Sequence, residues 1–298
     1  MDTPQVLLEH YLKQLKLPTM LREYAKLAEQ CAKMTGYEEI SLLSLSSGDY
    51  SQIEKTLGKL IEIFRKGGIC ISLPSLRVEK ALKEFPAVLG QIKKSGLTFA
   101  PEAGTERLRL AINKKIDIGE LREAVKAACR EGWMGIKLYF MVGLPTERQE
   151  DIEGIVKIID DLLTIDRRLR INVTINAFVP KPHTPFQSEA MDRKEELQAK
   201  MSYILRKAGK RRVHLKFQDI RLSILEAILS GGDRRVGRAI LKAYNRGCRL
   251  DGWIEHLRFD EWMAAFKEEG IDPEFYIYRA KKTDEALPWG HIDTSLTF

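Results

Sequence analysis

Cysteine is scarce in this chain of 298 residues: Cys31, Cys70, Cys129 and Cys248 are all there are, and no two stand close enough to form a CxxxCxxC loop. Four widely spaced thiols in a chain this long exclude a disulfide framework, and each reads as a small buried hydrophobe in a reducing compartment. No apolar run reaches the roughly 18 residues that would span a bilayer. The N-terminus also lacks a basic segment followed by an apolar stretch and a small-residue cleavage site, so no membrane contact and a cytoplasmic location are expected. There is no GxxxxGK[ST] phosphate loop, zinc motif or low-complexity tract, which removes the simplest ATPase and zinc-finger readings.

What is present suffices for a full core, with 44% hydrophobic and 31% charged residues. The net charge of +7 is uneven. From Arg206 to Arg249 thirteen Lys or Arg face only Asp219, Glu226 and Asp233. A block of this kind can track a phosphate backbone or hold an anionic substrate, and it can equally be a solvated helix face. Contact with RNA or another polyanion through Arg206–Arg249 is therefore carried as the alternative function, although no aromatic ladder accompanies the charges.

Residues 1–33 read as two amphipathic helices divided by Pro18: Val6, Leu8, Tyr11, Leu12 and Leu15 share one face, and Met20, Leu21, Tyr24 and Leu27 resume the pattern. Texture changes at Met34-Thr35-Gly36. From there to residue 189 strand-like runs (Glu39–Leu45, Ile69–Leu73, Gly96–Ala100, Gly135–Val142, Ile171–Val179) alternate with helical patterns (Gln52–Arg65, Val78–Phe85, Glu106–Ile112, Ile118–Arg130, Gln149–Asp160). Such alternation predicts β-α units and a parallel sheet. Five units are too few for an eight-unit barrel, so the fold class expected is α/β, a partial TIM-type (βα) barrel lacking its first unit. Residues 190–298, helical, basic and rich in aromatics, are expected to form a mixed C-terminal appendage whose aromatics are mostly core.

Unusual residues follow each predicted strand: Ser46-Ser47-Gly48-Asp49, Pro74-Ser75-Leu76-Arg77, Pro101-Glu102-Ala103-Gly104, Gly143-Leu144-Pro145-Thr146-Glu147 and Pro180 to Pro185. In parallel β/α folds the C-terminal strand ends carry the ligand site, so all five loops are expected at one mouth.

Taken in order, SLLSLSSGDY (41–50), ISLPSLR (71–77), LTFAPEAGTERLR (97–109), GIKLYFMVGLPTE (135–147) and AFVPKPHTPF (177–186) resemble the radical S-adenosylmethionine superfamily, in the branch often fused to a cobalamin-binding-like domain. HLKFQDIRLSILEAILSGGDRR (214–235) and LPWGHIDT (287–294) also resemble that branch. The resemblance implies two cofactors, S-adenosylmethionine and a [4Fe-4S] cluster held by three cysteines after the first strand. It implies reductive cleavage of the sulfonium, with the protein supplying position, electrostatics and exclusion of water.

By the same resemblance Ser47, Gly48 and Asp49 lie at the methionine amino group, Glu102 and Gly104 at the ribose or another polar group, and Gly143, Pro145 and Glu147 at the adenine, with Pro180 shaping the rim. Taken alone, Ser47-Gly48-Asp49 is a turn and helix cap. Arg77 and Lys137 are candidates for the cofactor carboxylate or an anionic substrate, or simply solvated. His183 is a candidate for substrate contact or a structural hydrogen bond. No residue is assigned a catalytic role, and no metal ligand is assigned, because the cysteine loop is missing.

Residues 1–33 resemble instead the helical N-terminus of insertion-sequence transposition helper (IstB-like) proteins. With the terminal DTSLTF, they suggest a rearranged or truncated frame that is inactive alone, or a transposition accessory. The substrate and the oligomeric state stay open.

Overall fold

The computed structural model describes residues 97–209, 212–282 and 284–294, together with residues 34, 36, 39–41, 57, 58, 60–62, 64 and 69–72. The helices expected in 1–33, the segment Ser47-Gly48-Asp49 and Arg77 lie outside the described residues.

The chain divides into two compact units, residues 1–99 with 119–136, and residues 100–118 with 137–298. In the first, β1 (Glu39–Ser41) pairs in parallel with β2 (Cys70–Ser72), Ile40 opposite Ile71. Residues 57, 58, 60–62 and 64 are helical, as expected for Gln52–Arg65.

Four strands, β3 (Leu97–Glu102), β4 (Gly135–Val142), β5 (Arg170–Ala177) and β6 (Val213–Phe217), form a parallel sheet in the order β3-β4-β5-β6. Between them run α1 (Glu106–Ala111), α2 (Ile118–Arg130), α3 (Gln149–Leu163) and α4 (Lys194–Ala208). Parallel neighbours need such crossovers, so the alternation legible in the sequence becomes a βα series of the partial TIM type.

Burial alternates along the strands. Leu138, Phe140 and Val142 of β4 and Ile171, Val173 and Ile175 of β5 are buried. They share the core with Ile152, Ile155, Ile159 and Leu162, the apolar stripe of α3, and with Leu197 and Ile204 of α4. Asn172 and Lys137 point to the opposite, exposed face.

β6 is a strand that the helical, basic reading of residues 190–298 does not contain. It pairs with β5 from Ile171 opposite Val213 to Ile175 opposite Phe217, so the sheet continues past residue 190. After it come α5 (Ile220–Gly231), α6 (Arg235–Asn245), a short 3-10 turn (Ile254–His256), α7 (Phe259–Glu268) and α8 (Pro273–Ile277). Of the aromatics there, Trp262, Phe266, Tyr276 and Trp289 are core, whereas Trp253 and Phe275 are exposed. Among the described residues no helix is long and apolar enough to cross a membrane.

Candidate functional site

Three successive loops leave the C-terminal ends of β3, β4 and β5, and their bases are fused by one apolar cluster. Ala103 and Leu108 come from the first loop and α1, Leu144 from the second and Phe178 from the third, with Met141 and Phe186 against them. Phe178 and Phe186 meet edge to face at 6.0 Å. The Phe178 N–H donates to the Val142 carbonyl at 2.8 Å, so the third loop starts tied to the second strand.

Each loop holds a non-glycine residue in left-handed backbone: Glu102 at φ 68°, Thr146 at φ 64° and His183 at φ 53°. For β-branched Thr146 this conformation is costly, and it persists only where the surroundings enforce it. They do. Arg107 of α1 donates to the Thr146 carbonyl at 3.0 Å and to its Oγ1 at 3.3 Å, and it is also paired with Asp151. The Asp151 side chain, buried at the start of α3, further accepts from the Arg148 N–H at 2.7 Å and from the Thr105 hydroxyl.

Gly104 has a packing role. A Cβ there would collide with the Asp151 carbonyl and the Ile155 nitrogen, and a Cβ on Gly154 would fall 2.6 Å from the Gly104 carbonyl oxygen. The first loop thus lies directly on the α3 backbone. The Thr105 Oγ1 caps α1 by accepting from the Leu108 N–H at 3.3 Å. Beneath it the buried Arg109 donates to the carbonyls of Ala103 and Ile116, both at 3.1 Å, and burial lowers its pKa.

Glu102 ends β3 half-buried, 3.4 Å from Lys114 Nζ; burial raises its pKa and Lys114 opposes the rise. Gly143 follows β4 at φ 81°, where a Cβ would crowd Asp192 and Leu197 at 3.1 Å. Its N–H donates to the Glu147 carboxylate at 2.8 Å. Glu147, 2% exposed, also accepts from Lys200 Nζ at 2.6 Å, and Lys200 reaches Asp192 at 2.5 Å. Burial pushes Glu147 upward against these partners, while Lys200, despite its own burial, is raised by its two carboxylates and stays charged.

Pro145 lies in this loop and Pro180 is buried in the next. The His183 N–H donates to Gln187 Oε1 at 3.1 Å, and His183 Nε2 is buried without a hydrogen-bond partner. Trp289 Nε1 donates to the same Gln187 oxygen at 2.6 Å, so the LPWGH segment braces the rim.

The geometry therefore brings Glu102, Gly104, Gly143, Pro145, Glu147 and Pro180 to one end of the sheet. Lys137 sits apart: it is the third residue of β4, six residues and about 20 Å of strand before Gly143. Lys200, Asp192, Asp151 and Gly154, which organise the loops, carry no motif signal, and only the nearness of Asp151 to the GLPTE stretch hints at any of them.

Five of the thirteen cations of the basic block are paired with carboxylates among the described residues. Arg221 pairs with Asp219, Arg235 with Asp233, Arg238 with Glu269, Lys242 with Glu268 and Glu269, and Arg246 with Glu261 and Glu268. Asp233, held by Arg235 and by the Tyr276 hydroxyl at 2.8 Å, titrates well below the usual carboxylate range.

Against known proteins, the chain is 31% identical over 245 residues to the uncharacterized protein MJ0966 of Methanocaldococcus jannaschii. The alignment covers 82% of this chain and 53% of that protein, so the chain spans about half the length of the curated relative it matches. Residues 18–159 match the model of the Radical SAM superfamily, a stretch that begins inside the segment 1–33 and takes in the loops after β3 and β4. By that match, residues 18–159 are a radical SAM domain.

Proposed function

We propose that this chain is the S-adenosylmethionine-cradling core of a radical SAM protein, and that alone it binds the cofactor without starting radical chemistry. The observation that carries the reading is the convergence of three strand-end loops, each holding a left-handed non-glycine residue over one shared apolar cluster. Strain of this kind gathers where backbone is shaped for a ligand. Glu102 offers a half-buried carboxylate suited to ribose hydroxyls or an ammonium, and Pro145 and Pro180 stiffen the loops around a planar base.

The superfamily's chemistry comes from a [4Fe-4S] cluster that, when reduced, opens the bound sulfonium. The residues present do not fit that cluster. The sequence has no CxxxCxxC, and among the described residues no three His, Cys, Asp or Glu side chains are grouped for a metal. Cys129 is buried in α2, Cys70 is exposed in β2, and Cys248 is buried with its thiol pKa pushed up, chiefly by burial, the reverse of what a thiolate ligand needs. What remains to this chain's own residues is binding, orientation and exclusion of water. The polyanion alternative is weaker, because five of the cations it would use are held by local carboxylates and no aromatic ladder accompanies the rest.

Calorimetry with S-adenosylmethionine tests the proposal. Binding is expected, and Glu102→Gln should weaken it about tenfold, the effect of losing one charge-assisted hydrogen bond. No heat at millimolar cofactor, or identical affinity in Glu102→Gln, would overturn it.

A further inference from the structure

A second concavity, separate from the three-loop cluster, opens where β5 and β6 end. Its volume is about 970 Å³, at the upper end of the range for small-molecule sites. Every lining residue belongs to the second compact unit. Its floor is the exposed face of the sheet edge: Thr174 and Asn176 of β5 beside Lys216 of β6, with Thr174 and Lys216 directly paired in register. From α4 come Lys194 and Gln198, and Trp253 also lines the cleft.

Three features specify what fits. First, Lys194 and Lys216 have no ion pair among the described residues, in contrast to the five compensated cations of the basic block, and Lys194 acts on the lining Asp219 only through its charge. The cleft's Arg221 is already engaged by Asp219, and Glu255 is the remaining carboxylate of the lining. Two lysines lining one cleft, one from α4 and one from β6, supply positive charge for one compact anion. Second, Trp253 is 59% exposed, whereas Trp133, Trp262 and Trp289 are 3–7% exposed. An indole left in water in the lining of a cleft is a stacking surface for a planar group. Third, the amides of Asn176 and Gln198 also line the cleft and supply both donors and acceptors for a polar scaffold.

We infer that this cleft binds a nucleoside monophosphate, its phosphate on Lys194 and Lys216 and its base on Trp253. It is a substrate or effector pocket distinct from the cofactor mouth. The inference stands on the cleft's own residues and holds whether or not S-adenosylmethionine binds.

The test uses the full chain with AMP, adenosine and inorganic phosphate as probes, followed by calorimetry and by tryptophan emission, with Trp253→Ala as the control that isolates the Trp253 signal. AMP should bind more tightly than either fragment and quench the emission. Lys216→Met and Lys194→Met should each weaken AMP about tenfold while leaving adenosine nearly unchanged, and Trp253→Ala should weaken both AMP and adenosine. Saturating S-adenosylmethionine should not displace AMP. Adenosine binding as tightly as AMP, AMP affinity unmoved by Lys216→Met, or displacement by S-adenosylmethionine would each overturn the assignment. So would tighter binding of an RNA trinucleotide, which would make the occupant a strand end.

Discussion

Gly104→Ala will destabilise the second unit by about 3 kcal/mol, and Gly154→Ala will do the same despite adding a better helix former. At an open helix position Gly→Ala gains about 1 kcal/mol. Here the sign reverses, because the Cβ at either residue is driven into backbone: the Gly104 methyl into the Asp151 carbonyl and Ile155 nitrogen, the Gly154 methyl against the Gly104 carbonyl at 2.6 Å. Backbone inside a helix cannot swing aside as a side-chain tip can, so the loop after β3 must lift off α3. Urea denaturation checks this, with a lower midpoint expected for both variants. A Gly154→Ala variant more stable than the parent would show that loop and helix are not in contact.

Lys200→Met will cost about 3–5 kcal/mol at neutral pH, because it strands the Glu147 carboxylate, 2% exposed, without its cation. The loss depends on pH in a defined direction. Burial already raises Glu147, and Lys200 is a principal group holding the rise in check. Without Lys200 the folded-state pKa lies further above the unfolded value of about 4.3. A raised carboxylate stabilises the fold below the unfolded pKa, and that stability is lost as pH rises through the folded pKa. The gap between parent and Lys200→Met should therefore widen from pH 5 to pH 7 in paired denaturation curves. Adding Glu147→Gln should recover part of the loss and flatten the pH dependence. A gap that narrows toward pH 7 would mean that the carboxylate is not the stranded group.

These two contacts show what the sequence conveyed and what it could not. The elements Ile118–Arg130 and Gly135–Val142 stand where their patterns place them, because an amphipathic stripe and an apolar run bounded by glycine are local signals. β6 escaped because VHLKF is five residues long and its exposed face is His214 and Lys216 inside a cationic stretch, so its alternation reads as part of a charged helix. The loops after the strands were legible as strand ends from their Pro, Gly and acidic residues. Their internal wiring was not, since Lys200 meets Glu147 across 53 residues and Gly154 meets Gly104 with two helices and a strand between them in the chain. Glu147 illustrates the difference. The resemblance places it near adenine, and the structure puts its carboxylate on the Gly143 N–H and Lys200, where it fixes the turn. The basic block was visible as charge, but not as charge answered by Glu261, Glu268 and Glu269 from α7 and its end.

The proposed S-adenosylmethionine cradle comes without the thiolates that would load a cluster. Anaerobic reconstitution with iron and sulfide, followed by iron counting and low-temperature electron paramagnetic resonance with and without S-adenosylmethionine, tests it most directly. The account predicts no stoichiometric iron, no cluster signal and no 5′-deoxyadenosine, from a protein that binds S-adenosylmethionine in the calorimeter. A reduced-cluster spectrum that shifts when the cofactor is added would contradict it.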